Sequence, residues 1–263
     1  MADHRKPPAK KRFGQNFLID LSFIDRIVSA LKIESGDNVI EIGPGRGAIT
    51  QRLLDSGANV AAIEIDRDLH TVLEKQFHSD RRFELIKGDV LDTDLENIFA
   101  KETIKAVGNL PYNISTPILS RLIASRGHFS KLVLMFQREV VDRLVAEPGT
   151  SDRGYMTVIA QSSFEIEKLF DLPPAAFFPA PKVWSSVVSV LPKPANIGDT
   201  VEFKTLVSNG FAQKRKTLAN NLKGNYGGVE LERLGDRIDL SRRAETLTLA
   251  EWATACEILS TPL

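Results

Sequence analysis

The sequence predicts an α/β fold built on an open parallel sheet, followed by a small all-helical C-terminal domain. Three observations carry this expectation. Short apolar, β-branched runs recur at 39–42, 60–66, 83–89 and 106–108, as buried parallel strands do. A glycine-rich turn follows the first of them, where open α/β sheets receive ligands. Beyond residue 200 the strand pattern stops and helical spacing takes over.

Residues 1–12 read as a flexible basic arm that includes Lys10, Lys11 and Arg12. Val39, Ile40, Glu41 and Ile42 form the first strand. Gly43, Gly45 and Gly47 then permit a tight turn and close backbone approach to a ligand, before a helix that begins near Arg46. The second strand ends on the carboxylate of Asp66, about twenty residues past the first glycine, where an acid can bind ribose hydroxyls. The third strand ends on Asp89, either a partner for an adenine amine or a helix cap and turn former. The fourth runs into Asn109. A fifth strand is expected at 131–136, helices at 137–146 and 153–164, and further strands at 166–172 and 185–191. A stiff loop at 177–183 carries Phe177 and Phe178. Residues 193–199 have the composition of a linker, with helices after it at 201–212, 218–222 and 249–259. The expected division is an arm at 1–12, a main domain at 13–194 and a helical domain at 200–263, the last marginal alone.

The glycine spacing separates two cofactor classes. Dinucleotide sites favour Gly-x-Gly-x-x-Gly, whose open helix N-terminus takes a pyrophosphate. Here the order is Glu-x-Gly-x-Gly-x-Gly from Glu41 to Gly47. Glu41 is an awkward neighbour for a pyrophosphate but a tolerable one for a sulfonium cofactor bearing an amino group. The pattern resembles the S-adenosylmethionine-dependent methyltransferases, so a Rossmann-like fold of that class is expected. A purely structural strand–turn–helix is the competing reading.

Asn109, Leu110, Pro111 and Tyr112 suit chemistry on an exocyclic amine attached to a flat ring. Proline lacks an N–H and restricts the backbone, which helps leave the Leu110 carbonyl as an acceptor. The Asn109 side chain offers a second acceptor, and Tyr112 a ring face for stacking. The same four residues could simply end a strand and start a loop.

Composition is that of a soluble globular protein, 43% hydrophobic and 26% charged. No apolar run approaches the roughly 18–20 residues that span a bilayer. The first twelve residues lack the apolar core of a secretory signal, and the single cysteine, Cys256, fits a reducing compartment. A cytoplasmic location is therefore expected. The four histidines show no metal-ligand spacing, so no metal is expected. Formal net charge is zero, yet basic residues cluster at 10–12 and at Lys214, Arg215 and Lys216, with Arg242 and Arg243 as a smaller pair. Beside an adenine-gripping motif, these clusters are candidates for phosphate contact. Their alternative role is a solvated face.

These motifs in this order resemble the ribosomal RNA adenine N6-dimethyltransferases, specifically the bacterial small-subunit (16S) enzymes. The matching residues are Phe13 to Leu18, Glu41 to Gly47, Glu64 to Asp66, Gly88 and Asp89, Asn109 to Tyr112, Phe177 to Val183, and Gln213 to Leu218. The resemblance implies that Asn16 and Leu18 line the cofactor pocket beside Gly43 and Gly45. It implies that Glu64 binds the cofactor ribose, that Asp89 binds its adenine, and that Asn109 lies between cofactor and substrate. Phe177 would stack on the target adenine opposite Tyr112. The implied activity is N6,N6-dimethylation of two adjacent adenosines in the 3′-terminal hairpin loop of small-subunit ribosomal RNA during ribosome biogenesis. The implied substrate is an immature small subunit, met by a monomeric enzyme. Two alternatives share the motifs: a large-subunit enzyme of the macrolide-resistance type, and an assembly factor whose binding matters more than its catalysis.

Overall fold

The computed structural model describes residues 9–10, 14–99, 102–110 and 114–261. Lys11, Arg12, Pro111 and Tyr112 lie outside the described residues. The chain folds as two compact units, Met1–Val141 with Ile166–Pro192, and Asp142–Glu165 with Lys193–Leu263. The single division expected near residue 194 differs from this grouping over Asp142–Glu165, a segment that belongs to the second unit.

The first unit is built on a seven-stranded sheet. Its strands are β2 (Asn38–Ile42), β3 (Asn59–Glu64), β4 (Phe83–Lys87), β5 (Ile104–Asn109), β6 (Phe129–Gln137), β7 (Phe164–Leu172) and β9 (Ser185–Pro192), in the spatial order β4-β3-β2-β5-β6-β9-β7. Five of these strands pair in parallel, and β9 runs antiparallel to β6. All five residues of β2 are buried, as a strand covered on both faces requires. Order reverses at β2, whose neighbours are β3 and β5. That is the switch point at which such sheets open a ligand crevice. Register brings the motifs to one edge: Ile42 is level with Ile63 and Gly108, Glu64 with Lys87, and Asn109 with Met135.

Helices cover the sheet, several of them not announced by the strand pattern. In α1 (Leu21–Leu31), Ile24, Ile27, Val28 and Leu31 bury one stripe, and the Asp20 side chain accepts from the Ser22 amide at the N-cap. The expected helix after the glycine turn, α2 (Ala48–Asp55), begins at Ala48 with Gly47 as its N-cap. The second strand ends at Glu64, because the Asp66 side chain accepts the Asp68 amide and starts α3 (Arg67–Phe77). Helix α4 (Ser115–Ala124) follows the Asn109 segment, and α5 (Arg138–Leu144) follows β6. A two-stranded sheet, β1 (Phe17–Leu18) with β8 (Phe177–Phe178), ties the N-terminal motif to the expected aromatic loop.

The second unit is helical. It contains α6 (Tyr155–Ser163), α7 (Val201–Gly210), α8 (Leu218–Leu222), α9 (Gly228–Gly235) and α10 (Leu249–Ser260). Thr248 and Glu251 form a capping box at the start of α10. Trp252 on that helix is fully buried and stacks on Phe211 at 5.8 Å. Arg153, 2% exposed, donates to the Ala146 carbonyl at 2.8 Å and to Gln161 at 2.7 Å. A buried cation is held by such hydrogen bonds.

Candidate active site

A cavity of about 190 Å³ opens at the carboxyl edge of β2, β3 and β5. Gly43 and Gly45 form one wall, both at positive φ (70° and 58°). A Cβ added to Gly45 would meet the Phe17 ring at 3.0 Å, so glycine is needed both for the turn and for the fit of the N-terminal motif against it. Gly14, Gln15, Asn16 and Phe17 of the N-terminal motif also line it.

Glu64 and Asp89 bring two carboxylates to the cavity, and among the described residues no lysine or arginine lines it. The Glu64 carboxylate accepts the Gly45 amide at 3.1 Å and the Asp66 amide at 2.9 Å, and burial pushes its pKa up. Asp89 accepts the Leu91 amide at 2.9 Å through one oxygen while its side chain lines the cavity, so turn-forming and ligand-facing positions coexist. Glu41 stands behind the glycine turn, 1% exposed. Burial pushes its carboxyl up to about 8, against the opposing hydrogen bond from the Thr50 hydroxyl at 2.5 Å. An acidic, cation-free cradle repels a pyrophosphate and suits a cationic ligand with ribose hydroxyls.

The carboxylate that spacing placed at the tip of the second strand, Asp66, does not line this cavity; Glu64 does. Asp66 is 1% exposed and faces the N-terminal segment instead. It accepts from the Lys10 ammonium at 2.5 Å and from the Gln15 amide at 2.9 Å, and the cationic partner Lys10 helps hold its pKa below the usual range against the effect of burial. The Lys10 backbone amide also donates to Gln15 at 2.8 Å. Lys10 of the basic arm is thus ion-paired to Asp66 and Asp68. Gln15 is a cavity residue that the sequence did not single out, and Asp66, expected to bind ribose hydroxyls, instead holds Gln15 and Lys10.

Asn109 sits at the lip of the cavity with Leu110 beside it. Its side-chain amide donates to the Asn16 carbonyl at 2.9 Å, which fixes the amide through its donor end and leaves the side-chain oxygen as an acceptor. Leu110 is 1% exposed, and its amide donates to the Met135 carbonyl at 3.1 Å. A Cβ on Gly108 would come within 3.1 Å of the Ile42 carbonyl, so the bare backbone lets β5 bring Asn109 up to β2.

Leu18 does not line this cavity; it lines an adjoining one that shares Phe17, Gly43, Gly45 and Asn109. Phe177 is level with Leu18, 3% exposed and part of the core, whereas Phe178 is 58% exposed. Lys214, Arg215 and Lys216 are exposed, with the Lys214 ammonium on the Ser151 carbonyl at 2.7 Å. Arg242 is engaged with Glu251 and with the Thr246 carbonyl. No cluster of three potential metal ligands occurs among the described residues, nor any helix long and apolar enough to cross a membrane.

A family model described as "Ribosomal RNA adenine dimethylase" matches residues 7–261. A protein of Hahella chejuensis named "Ribosomal RNA small subunit methyltransferase A" is 44% identical, over 93% of this chain and 90% of its own. One of the same name from Laribacter hongkongensis is 45% identical, over 92% and 93%. Among solved structures, a dimethyladenosine transferase from Plasmodium falciparum superposes with a TM-score of 0.79 at 27% identity, covering 90% of this chain and 94% of that one. The chain belongs to the ribosomal RNA adenine dimethylase family.

Proposed function

We propose that this protein dimethylates the N6 amine of two adjacent adenosines in the 3′-terminal hairpin loop of small-subunit ribosomal RNA. Its substrate is an immature small subunit in the cytoplasm, which it meets as a monomer. The observation that carries the reading is Asn109, oriented by the Asn16 carbonyl at the lip of a cavity lined by Glu64 and Asp89. Both relatives above carry the small-subunit name, which favours that substrate over the large subunit.

The residues fit S-adenosylmethionine, the methyl donor of the family. Glu64 would hold the ribose hydroxyls and Asp89 the adenine, while Gly43, Gly45 and Asn16 form the walls. When bound there, the cofactor supplies an electrophilic methyl group on a sulfonium. The protein's part is to prepare the amine. An adenine amine is a poor nucleophile because its lone pair is delocalised into the ring. The Asn109 side-chain oxygen and the Leu110 carbonyl would accept its two N–H groups and favour a pyramidal nitrogen whose lone pair faces the cavity. No strong general base is needed, since the proton is lost after transfer. Catalysis then rests on positioning and electrostatics.

The base must leave its stack to reach this lip, and a ring face repays roughly 1–3 kcal/mol of that cost. Phe177 and Tyr112 are the proposed pair of rings; Phe177 would have to be uncovered from its buried position. Leu18 supports the pocket from behind, through its pairing with Phe177. Lys11, Arg12, Lys214, Arg215 and Lys216 would meet phosphates. Lys10 would do so only by leaving Asp66.

The test is methyl transfer from labelled S-adenosylmethionine to unmethylated small and large ribosomal particles, with nucleoside analysis. Dimethyladenosine on the small-subunit RNA alone is expected. Label on large-subunit RNA alone would refute the substrate assignment.

A further inference from the structure

Nine large apolar side chains are exposed among the described residues, and five of them lie in two adjoining segments: Ile19, Leu21, Phe178, Val183 and Trp184. Pairing of Phe17 with Phe178 and a hydrogen bond from the Ile19 amide to the Ala176 carbonyl at 2.9 Å hold those segments together. Exposed apolar side chains concentrated on two joined segments make this face a candidate binding surface. Its two rings are large ones, Phe178 at 58% and Trp184 at 44% exposure, and the stretch between them includes Pro179 and Pro181. Prolines fix the backbone, so little freedom remains to be lost when a ligand docks.

Position points to the ligand. Asn109 is level with Met135, and Met135 with Val187. Trp184 lies three residues beyond Val187 toward the same sheet edge. With strands about 4.8 Å apart and a rise of about 3.3 Å per residue, Trp184 stands roughly 14 Å from Asn109. That span is about four stacked nucleotides at 3.4 Å each, and fewer in an extended strand. Cations flank the rings. The Arg138 guanidinium lies 5.8 Å from the Trp184 ring centroid, its backbone amide donates to the Trp184 carbonyl at 2.9 Å, and Lys182 is exposed on the loop. Rings with neighbouring cations are the chemistry of single-stranded nucleic acid binding.

We propose that the loop from Phe178 to Trp184 is a stacking platform for the unpaired nucleotides flanking the target adenosine, with Phe178 and Trp184 taking base faces and Lys182 and Arg138 taking phosphates. The proposal rests on the reading of Asn109 as the amine-binding residue, because that reading places the target base at the cavity lip. The platform acts on neighbours of the target, a role distinct from that of Phe177 and Tyr112. It would hold the strand while one base is extruded.

The chain has two tryptophans, and the other, Trp252, is fully buried, so solvent-sensitive indole fluorescence reports Trp184. The full-length protein is titrated with a short single-stranded oligoribonucleotide carrying paired adenosines, and separately with adenosine monophosphate. The oligonucleotide should quench Trp184, while the mononucleotide should not. Trp184→Ala should weaken oligonucleotide binding about five- to 150-fold, the worth of one stacked base, with S-adenosylmethionine affinity unchanged. Trp184→Phe should restore most of the loss, and Phe178→Ala should reproduce it. Undiminished oligonucleotide binding by both alanine variants, while the wild type methylates RNA, would overturn the platform alone. A wild type that binds S-adenosylmethionine yet methylates no RNA adenine would overturn the parent reading and the platform together. Weakening confined to assembled particles, with free RNA unaffected, would assign the loop to a protein and overturn the proposal.

Discussion

Replacing Glu41 with glutamine should stabilise the folded protein increasingly as pH rises through neutrality. Glu41 is 1% exposed, and burial raises its carboxyl from the ordinary 4.5 to about 8. Below pH 4.5 the group is neutral in both folded and unfolded chains and costs nothing. Between 4.5 and 8 the unfolded chain releases the proton and the folded chain keeps it, so stability falls as pH rises. At 1.36 kcal/mol for each pH unit, the loss reaches about 3 kcal/mol at pH 7 and ~5 kcal/mol above pH 8. Glutamine retains an acceptor for the Thr50 hydroxyl but buries an amide that needs a partner, a cost of about 1–3 kcal/mol. The net gain at pH 7 is then about 0–2 kcal/mol, at most roughly 8 °C in Tm for a chain of this size. Thermal unfolding of both proteins at pH 5, 7 and 8 checks it: the advantage should grow with pH. Equal pH slopes in the two proteins would refute the reasoning.

Two further outcomes follow from the same contacts. Asp66→Asn should weaken S-adenosylmethionine binding roughly tenfold, about the worth of one charge-assisted hydrogen bond, and expose the N-terminal segment to proteolysis; unchanged affinity would show that Lys10 and Gln15 are not held through Asp66. Reversing Lys214, Arg215 and Lys216 to glutamate should weaken binding to ribosomal particles and flatten its dependence on salt, and an unchanged salt slope would make them a solvated face.

Much of the sheet was legible because β2, β3 and β5 are short, β-branched and bounded by glycine or acid. The helices α1, α3 and α4 were not read, since their apolar stripes alternate with charge and lie between stronger strand signals. The apolar pattern predicts one strand over residues 60–66. Asp66 breaks it, because its side chain caps α3 and its carboxylate serves Lys10 and Gln15, a contact across more than fifty residues that no local pattern encodes. Glycine positions foretold the cavity wall at Gly43 and Gly45, where positive φ admits few alternatives. The burial of Phe177 and the exposure of Phe178 follow from pairing between β1 and β8, a two-residue ladder too short to leave a sequence signature. Asn109 was legible as an acceptor. That its amide donor is taken by the Asn16 carbonyl required the fold.

The most direct test of the central claim compares wild type with Asn109→Ala for methyl transfer to unmethylated small-subunit particles, with S-adenosylmethionine affinity measured on the same preparations. The account predicts that the variant keeps its fold and most of its cofactor affinity but loses most of its turnover, by a factor of about 10²–10³, as when one preorganised polar contact to the reacting group is removed. Normal turnover in a folded Asn109→Ala protein would contradict it.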